Sequence, residues 1–270
     1  MKKLILIPFG LFFHFICLSQ DQDHWDVYIT QHEKGPGSTL VNLSVKKLAP
    51  DKSMRYLLVT GVRYKKCKTD GMPEQNEFEN LYKISDAVNS VVKELLKENK
   101  LVGTFTYDCQ RLDYYYVSDT NKVRDTLSLM YKLLYPNYSF SINIREDSNW
   151  SVYLDVLYPN DLALEAMSNQ QVVLKLHQSG DDLTKSRQVD HWLYFPTIED
   201  SKKFSERIKE MKFVIDTIKY VDQGPLHYQL HIHRDDKIDV ASISKLTLFL
   251  KQEAKKYNGD YDGWETFVVK

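Results

Sequence analysis

The feature that most constrains this chain is a hydrophobic rhythm that alternates between period two and period 3.6 in a fixed order. Between about Arg55 and Glu146 that order is strand, helix, strand, strand, helix, strand. Tyr56-Leu-Leu-Val-Thr-Gly-Val is rich in strand formers. Phe78, Leu81, Ser85, Val88, Val92 and Leu95 then fall at helical spacing and give one apolar face. Pro73 before Glu74 suits the start of that helix and Asn99 its end. Residues 101–107 and 112–117 read as strands joined by a turn near 108–111. A second helix over about 122–134 stops before Pro136. From Tyr138 to Ile144, Tyr, Phe, Ile and Ile alternate with Ser, Ser and Asn, the signature of a half-buried strand. Residues 25–30, 40–45 and 150–157 are expected to extend this sheet as extra strands.

The same order returns after Arg187. Trp192 to Phe195 reads as a strand. Thr197-Ile-Glu-Asp200 fits a capping box with aspartate in the usual glutamate place, followed by an apolar face of Phe204, Ile208 and Met211. Residues 213–221 and 226–232 form a hairpin through Asp222-Gln-Gly224-Pro225, a turn composition. Asp239 is placed to cap a last helix whose inner face is Val240, Ile243, Thr247, Leu250 and Ala254. Lys255 and Lys256 suit its C-terminal dipole, and Gly259 suits a left-handed helix stop before a short terminal strand. The simplest architecture is therefore α+β: two ferredoxin-like βαββαβ domains with antiparallel sheets, the first extended by extra strands. The expected division is a leader at 1–19, a first domain at 20–158, a connecting segment at 159–186 and a second domain at 187–270. The two halves share a rhythm and not a detectable sequence repeat.

Lys2 and Lys3 precede a short apolar run that ends near residue 18, the layout of a secretory leader. The run is too short for a comfortable membrane span of about 20 apolar residues. Cleavage near Ser19, with small Cys17 three positions before the cut, fits best, and the mature chain is then periplasmic or on the cell surface. Acylation of Cys17 is the lipoprotein alternative, disfavoured by His14 and Ile16, and an uncleaved anchor is a third. Loss of the leader takes two lysines with it and leaves 34 basic and 37 acidic residues, a net charge of −3. That balance argues against general nucleic-acid binding, which needs a basic patch to displace counterions. With 43% hydrophobic and 13% aromatic residues the chain can fill ordinary cores.

Several groups of residues carry chemistry worth weighing. On a strand, His227, Gln229, His231 and His233 project to one face, and His-x-His is a genuine metal-ligand spacing. The same residues equally describe the solvated face of a strand whose other face is Leu226, Tyr228, Leu230 and Ile232. A metal-dependent hydrolase or metal-binding protein built on His227, His231 and His233 needs a further ligand, for which His191 on a neighbouring strand must share their face. Cys67 and Cys109 are the two cysteines of the mature chain. The βαββαβ topology brings both to one rim of the sheet, so a bridge and two free thiols both stay open. Tyr114, Tyr116, His191, Trp192, Asp262 and Trp264 are candidates for an interaction surface, since aromatic side chains offer rigid amphipathic area. The pairs Asp181-Asp182 and Asp235-Asp236 sit in turn-like polar segments and are expected to be solvated. No Gly-x-Ser-x-Gly elbow, Walker loop, Rossmann glycine set or His-Glu-x-x-His occurs, so no catalytic residue is assigned and no cofactor is implied. RNA-binding domains of this topology carry a glycine- and aromatic-rich third strand, whereas this strand turns histidine and glutamine outward.

The motifs resemble two known families. Trp25-x-Val-Tyr28, Gly103-Thr-Phe-Thr-Tyr-Asp108, Arg111-x-Asp113-Tyr-Tyr-Tyr116 and Trp150-x-Val-Tyr153 leading to Leu157-Tyr-Pro159 resemble domain of unknown function family 695. Cys109 departs from that pattern, which tends to have glycine after Asp108. Arg187-Gln-Val-Asp190-His191-Trp192-Leu-Tyr194-Phe195 and the ending Asn258-Gly-Asp-Tyr-Asp-Gly-Trp-Glu-Thr-Phe-Val-Val-Lys270 resemble the bacterial family of regulator of ribonuclease activity B, an inhibitor of ribonuclease E. The resemblance implies no established enzyme activity for either half. It implies a non-catalytic regulatory protein that works by contact with another, so far unidentified protein. A leader would keep an exported copy from cytoplasmic ribonuclease E. Without one, a cytoplasmic ribonuclease regulator is the alternative.

Overall fold

The computed structural model describes residues 23–222 and 224–270. The expected leader, with Cys17 and Ser19, lies outside them. The first half contains β1 (Trp25–His32), β2 (Gly35–Asn42), β3 (Tyr56–Arg63), α1 (Phe78–Leu95), β4 (Asn99–Tyr107), β5 (Gln110–Val117), α2 (Val123–Leu134) and β6 (Ser139–Glu146). They build one antiparallel sheet in the order β1-β2-β4-β5-β3-β6. The inner run β4-β5-β3-β6 is the ferredoxin-like order, and the β1–β2 hairpin adds to its β4 edge. Helices α1 and α2 cover one face, packing Leu81, Val88, Val92, Leu127 and Tyr131 against Leu58, Tyr115 and Val117.

Part of the other face, around Leu57, Val102 and Tyr116, is covered too, by a segment that departs from expectation. Residues 150–157 are not a strand. Trp150 takes a left-handed φ of 56°, and Val152–Leu157 winds as a π-helix, with Tyr158 N donating to Tyr153 O at 2.7 Å. A left-handed conformation costs a bulky residue about 1–2 kcal/mol, so local contacts must hold it. The Trp150 ring stacks on Tyr116 at 4.0 Å between centroids and 8° between planes, and its Nε1 donates to Met54 O at 2.8 Å. Asp147 accepts from the Tyr116 hydroxyl (2.6 Å), from Ser151 N (2.9 Å) and from Val152 N (3.0 Å), which caps the start of the wide helix. Tyr153 donates its hydroxyl to Asn42 O at 2.7 Å. Trp150 thus lies flat on Tyr116, while Tyr153 stands edge-on to Trp150 at 89°.

Cys67 and Cys109 form a disulfide with Cα atoms 5.7 Å apart. Cys109 sits with Asp108 in the tight β4–β5 turn, and both have positive φ, 59° and 47°. Such a turn favours glycine. The bridge and the bond from Cys109 N to Gly71 O (2.9 Å) hold a cysteine there and pin the loop after β3 to the hairpin.

The second half contains α3 (Asp161–Gln178), β7 (Arg187–Phe195), α4 (Ile198–Lys209), β8 (Val214–Tyr220), β9 (Tyr228–Asp236), α5 (Val240–Lys255) and β10 (Asp260–Glu265). Its antiparallel sheet runs β10-β7-β9-β8, again the ferredoxin-like order. The caps form as the residues imply: Thr197 Oγ1 accepts from Asp200 N at 3.1 Å, and Asp239 Oδ1 from Ser242 N at 3.0 Å. The segment expected only to connect the halves carries α3, which packs on α5. Its buried Asn169 donates to Ser244 Oγ and Thr247 Oγ1 at 3.2 and 2.9 Å and accepts from Trp264 Nε1 at 2.8 Å. Asp181 is not solvated as expected. It is buried against Arg187 at 2.5 Å and also accepts from Val269 N at 2.9 Å, tying the chain end to β7.

The end of the last helix is also resolved differently. Asn258 and not Gly259 takes the left-handed conformation, with φ 58°. Gly259 is needed for space, since a Cβ there would meet the Phe195 ring at 2.3 Å. The final strand stops at Glu265, and residues 266–270 follow it without strand pairing.

Replacement of Trp150 by alanine removes both the stack on Tyr116 and the bond to Met54, and is expected to destabilise the first half by about 3–5 kcal/mol. Chemical denaturation checks this, and a loss under about 1 kcal/mol would show that the π-helix does not depend on the ring.

Candidate functional site

Helices α4 and α5 cover only one face of the second sheet. Strand parity decides which side chains they bury. On β7, Val189, His191, Leu193 and Phe195 point to the helices and are fully buried. Asp190, Trp192 and Tyr194 alternate with them and point to the open face. The register sets Asp190 opposite His233 and Trp192 opposite His231 on β9. The open face therefore carries Asp190, Trp192, Tyr194, Gln229, His231 and His233 together, and Tyr194 and Gln229 are hydrogen-bonded to each other.

His191 thus cannot join His231 and His233, because it lies on the opposite face. It is also no surface residue. Its Nδ1 lies 2.9 Å from the Tyr261 hydroxyl, its ring meets Phe213 edge-on, and its Nε2 has no partner. Burial first, then the Arg234 guanidinium, push this imidazole down to about 3. A neutral ring is what this pocket holds.

Other candidates separate as well. Tyr116 is buried under Trp150 and cannot be an interaction surface. The reason is the second cover on the first sheet, which turns what reads as a solvent face into core. Tyr114 is half-buried on that same face and lines a cleft of about 360 Å³ with Tyr28, His32, Phe105 and Tyr158. Trp264 turns inward to Asn169, whereas Asp262 is exposed at a bulge in β10. His227 precedes β9 and stacks on Tyr220 at 5.5 Å, away from the other two histidines. Asp235 is exposed, while Asp236 is paired with Arg234 at 2.7 Å.

The histidines that stay together meet two aspartates that sequence reading had not singled out as site residues. His231 Nε2 is 2.9 Å from Asp190 Oδ1, and its Nδ1 is 3.7 Å from Asp216 Oδ2. His233 Nδ1 is 2.8 Å from Asp216 Oδ2. The His231 ring lies flat on Trp192, with centroids 4.8 Å apart and planes 6° apart. Asp216 reaches this group because a bulge in β8 between Ile215 and Thr217 inserts it as an extra residue. Alternation on β7 could have revealed Asp190, since apolar partners flank it at 189, 193 and 195. Nothing in the sequence around Asp216 announces the bulge.

These side chains can bind, through a flat aromatic centre and a rim of hydrogen-bonding groups. No helix among the described residues is long and apolar enough to cross a membrane.

Two families match the chain. The family of unknown function DUF695 matches residues 23–158, and the family described as regulator of ribonuclease activity B matches residues 166–266. No curated protein matches. Among solved structures, an unknown protein from Galdieria sulphuraria is similar at 9% identity, over 80% of this chain and 99% of that one, with a TM-score of 0.23. A putative glycine cleavage system transcriptional repressor is similar at 7% identity, over 79% and 99%, with a TM-score of 0.24. TM-scores this low carry no argument about shape or function.

His191 generates a pH prediction. Its folded pKa lies below the unfolded value of about 6.5, so its contribution is complete above that pH and is lost as pH falls toward about 3. In that window stability should fall by up to about 1.4 kcal/mol per pH unit from this group. His191→Gln cannot take up the proton and still offers the Tyr261 hydroxyl a partner, so its denaturation midpoints from pH 7 to 4 should fall less steeply. Equal slopes in the two proteins would refute this.

Proposed function

The chain belongs to the DUF695 family, and on that premise, with a C-terminal region that matches the regulator of ribonuclease activity B family, we propose that it is a non-catalytic regulatory protein that acts by protein–protein contact. The observation that carries this reading is the uncovered face of the second sheet. Trp192 and Tyr194 stand at its centre, flanked by Gln229, His231 and His233. A central aromatic pair with a polar rim has the anatomy of a binding patch, in which a few large side chains supply most of the affinity. The near-neutral composition fits a protein partner better than a nucleic acid.

The reading includes export. Residues 1–19 have the layout of a leader, and with cleavage near Ser19 the mature protein works outside the cytoplasm. Regulation of ribonuclease activity is what the C-terminal family is named for. An exported copy has no access to cytoplasmic ribonuclease E, so its partner is to be sought in the envelope. N-terminal sequencing of the protein from cells is expected to begin at Gln20. An intact Met1 on cytoplasmic protein would overturn export and restore the ribonuclease as partner, and a lipid on Cys17 would make the protein an anchored one.

The contact surface is testable on the mature chain. Immobilised protein is expected to retain a partner from an envelope extract, and Trp192→Ala with Tyr194→Ala should reduce that capture at least tenfold. The variant should melt within a few degrees of the wild type, because both side chains lie on the open face. Identical capture by both proteins would overturn this surface as the binding site.

A further inference from the structure

We propose that the open face of the second sheet holds a divalent transition-metal ion on Asp190, Asp216 and His233. One ligand atom from each of these residues lies within 4.8 Å of the other two. They come from three adjacent strands, β7, β8 and β9, so the site is set by strand register and not by a loop. Neither family description assigns a metal to this chain, and although the site shares this face with the contact patch above, metal binding is read out without any protein partner.

Three features make this more than a chance cluster on a solvated face. The first is the β8 bulge. A regular strand would pair one residue with each residue of β9, but here Val214 faces His233, Thr217 faces His231, and Asp216 is the extra residue between. The bulge aims its carboxylate at both histidines, within 2.8 Å of His233 and 3.7 Å of His231. Bulges recur next to functional sites for this kind of re-aiming. The second is support behind a ligand. Gln188 Nε2 donates to both oxygens of Asp190, at 3.1 and 3.2 Å, and so fixes its orientation. Outer groups of this kind orient ligating carboxylates in metal sites. The third is His231. Its two ring nitrogens reach toward the two carboxylates from between them, and the Trp192 ring holds it in plane.

The donor set selects the class of ion. One imidazole nitrogen and two carboxylates suit zinc, nickel or cobalt, whereas calcium and magnesium prefer oxygen alone. Three protein ligands leave at least one coordination position toward solvent, open to water or to a donor from outside the chain. The two carboxylates supply the negative charge that offsets the ion. His233 must offer a lone pair, so an ion replaces the present contact between its Nδ1 and Asp216. His227, stacked on Tyr220, takes no part.

The test uses the untagged full mature chain titrated by calorimetry with zinc alone, then nickel, then calcium. One zinc is expected to bind per chain with a Kd in the micromolar range or tighter, and calcium at least a hundredfold more weakly. Asp216→Asn and His233→Gln should each weaken zinc at least tenfold, while His227→Gln leaves it unchanged. Nickel should also quench the fluorescence of Trp192, which stacks on His231 beside the ligands, an effect lost in Asp216→Asn and in Trp192→Phe. Circular dichroism melting keeps folding separate, since Asp216 and His233 are on the open face and their variants should melt as the wild type does. Absence of saturable binding tighter than about 10 μM, or binding that survives both Asp216→Asn and His233→Gln, would overturn the site.

Discussion

The stack of Trp150 on Tyr116 decides which surfaces this protein has left to use. It seats the π-helix of residues 152–157 on the side of the first sheet that α1 and α2 leave bare. Asp147 makes the arrangement possible, because one carboxylate takes the Tyr116 hydroxyl and the first amides of the helix. Burial raises its pKa, and these donors more than offset that, holding Asp147 below the ordinary carboxylate range. With that cover in place the second face of the first sheet is core around Leu57, Val102 and Tyr116, while its β6 edge, with Ser141 and Asn143, stays exposed. The second sheet has no such cover among the described residues, and its free face carries Asp190, Trp192, Tyr194, His231 and His233.

The same contrast explains the polar residues. In the second half, buried charge is used structurally: Arg187 and Asp181 neutralise one another and bind the tail after β10 through Phe267 O and Val269 N. A buried pair of this kind gives orientation more than net stability, since desolvation offsets much of the attraction. The open face is different. There Asp190, Asp216, His231 and His233 meet at hydrogen-bond distance while still reached by water, so their charges remain available to a ligand.

Much of the fold was legible because it rests on periodicity, which is local. The apolar spacing of Leu81, Val88 and Val92, and the alternation along residues 138–144, each follow from a single element meeting a single core. The segment at 150–157 was misread because Trp, Val, Tyr and Leu suit a strand and a buried irregular helix equally. The segment at 161–178 was missed because α3 packs through a buried asparagine as well as apolar residues. At the site, parity along β9 correctly put His231 and His233 on one face. Parity along β7, where His191 falls in the apolar phase of Val189, Leu193 and Phe195, carried the evidence that it is buried.

By itself the sequence determined the two βαββαβ units, the helix caps at Thr197 and Asp239, and the family resemblance of each half, because those depend on neighbours within a few residues. Only the tertiary structure decided that Tyr116 is core, that Cys67 and Cys109 are joined, and that Asp216 stands beside His233. Each of those depends on register between strands far apart in the chain. One bulged residue reverses which side chains share a face, and no local pattern records it.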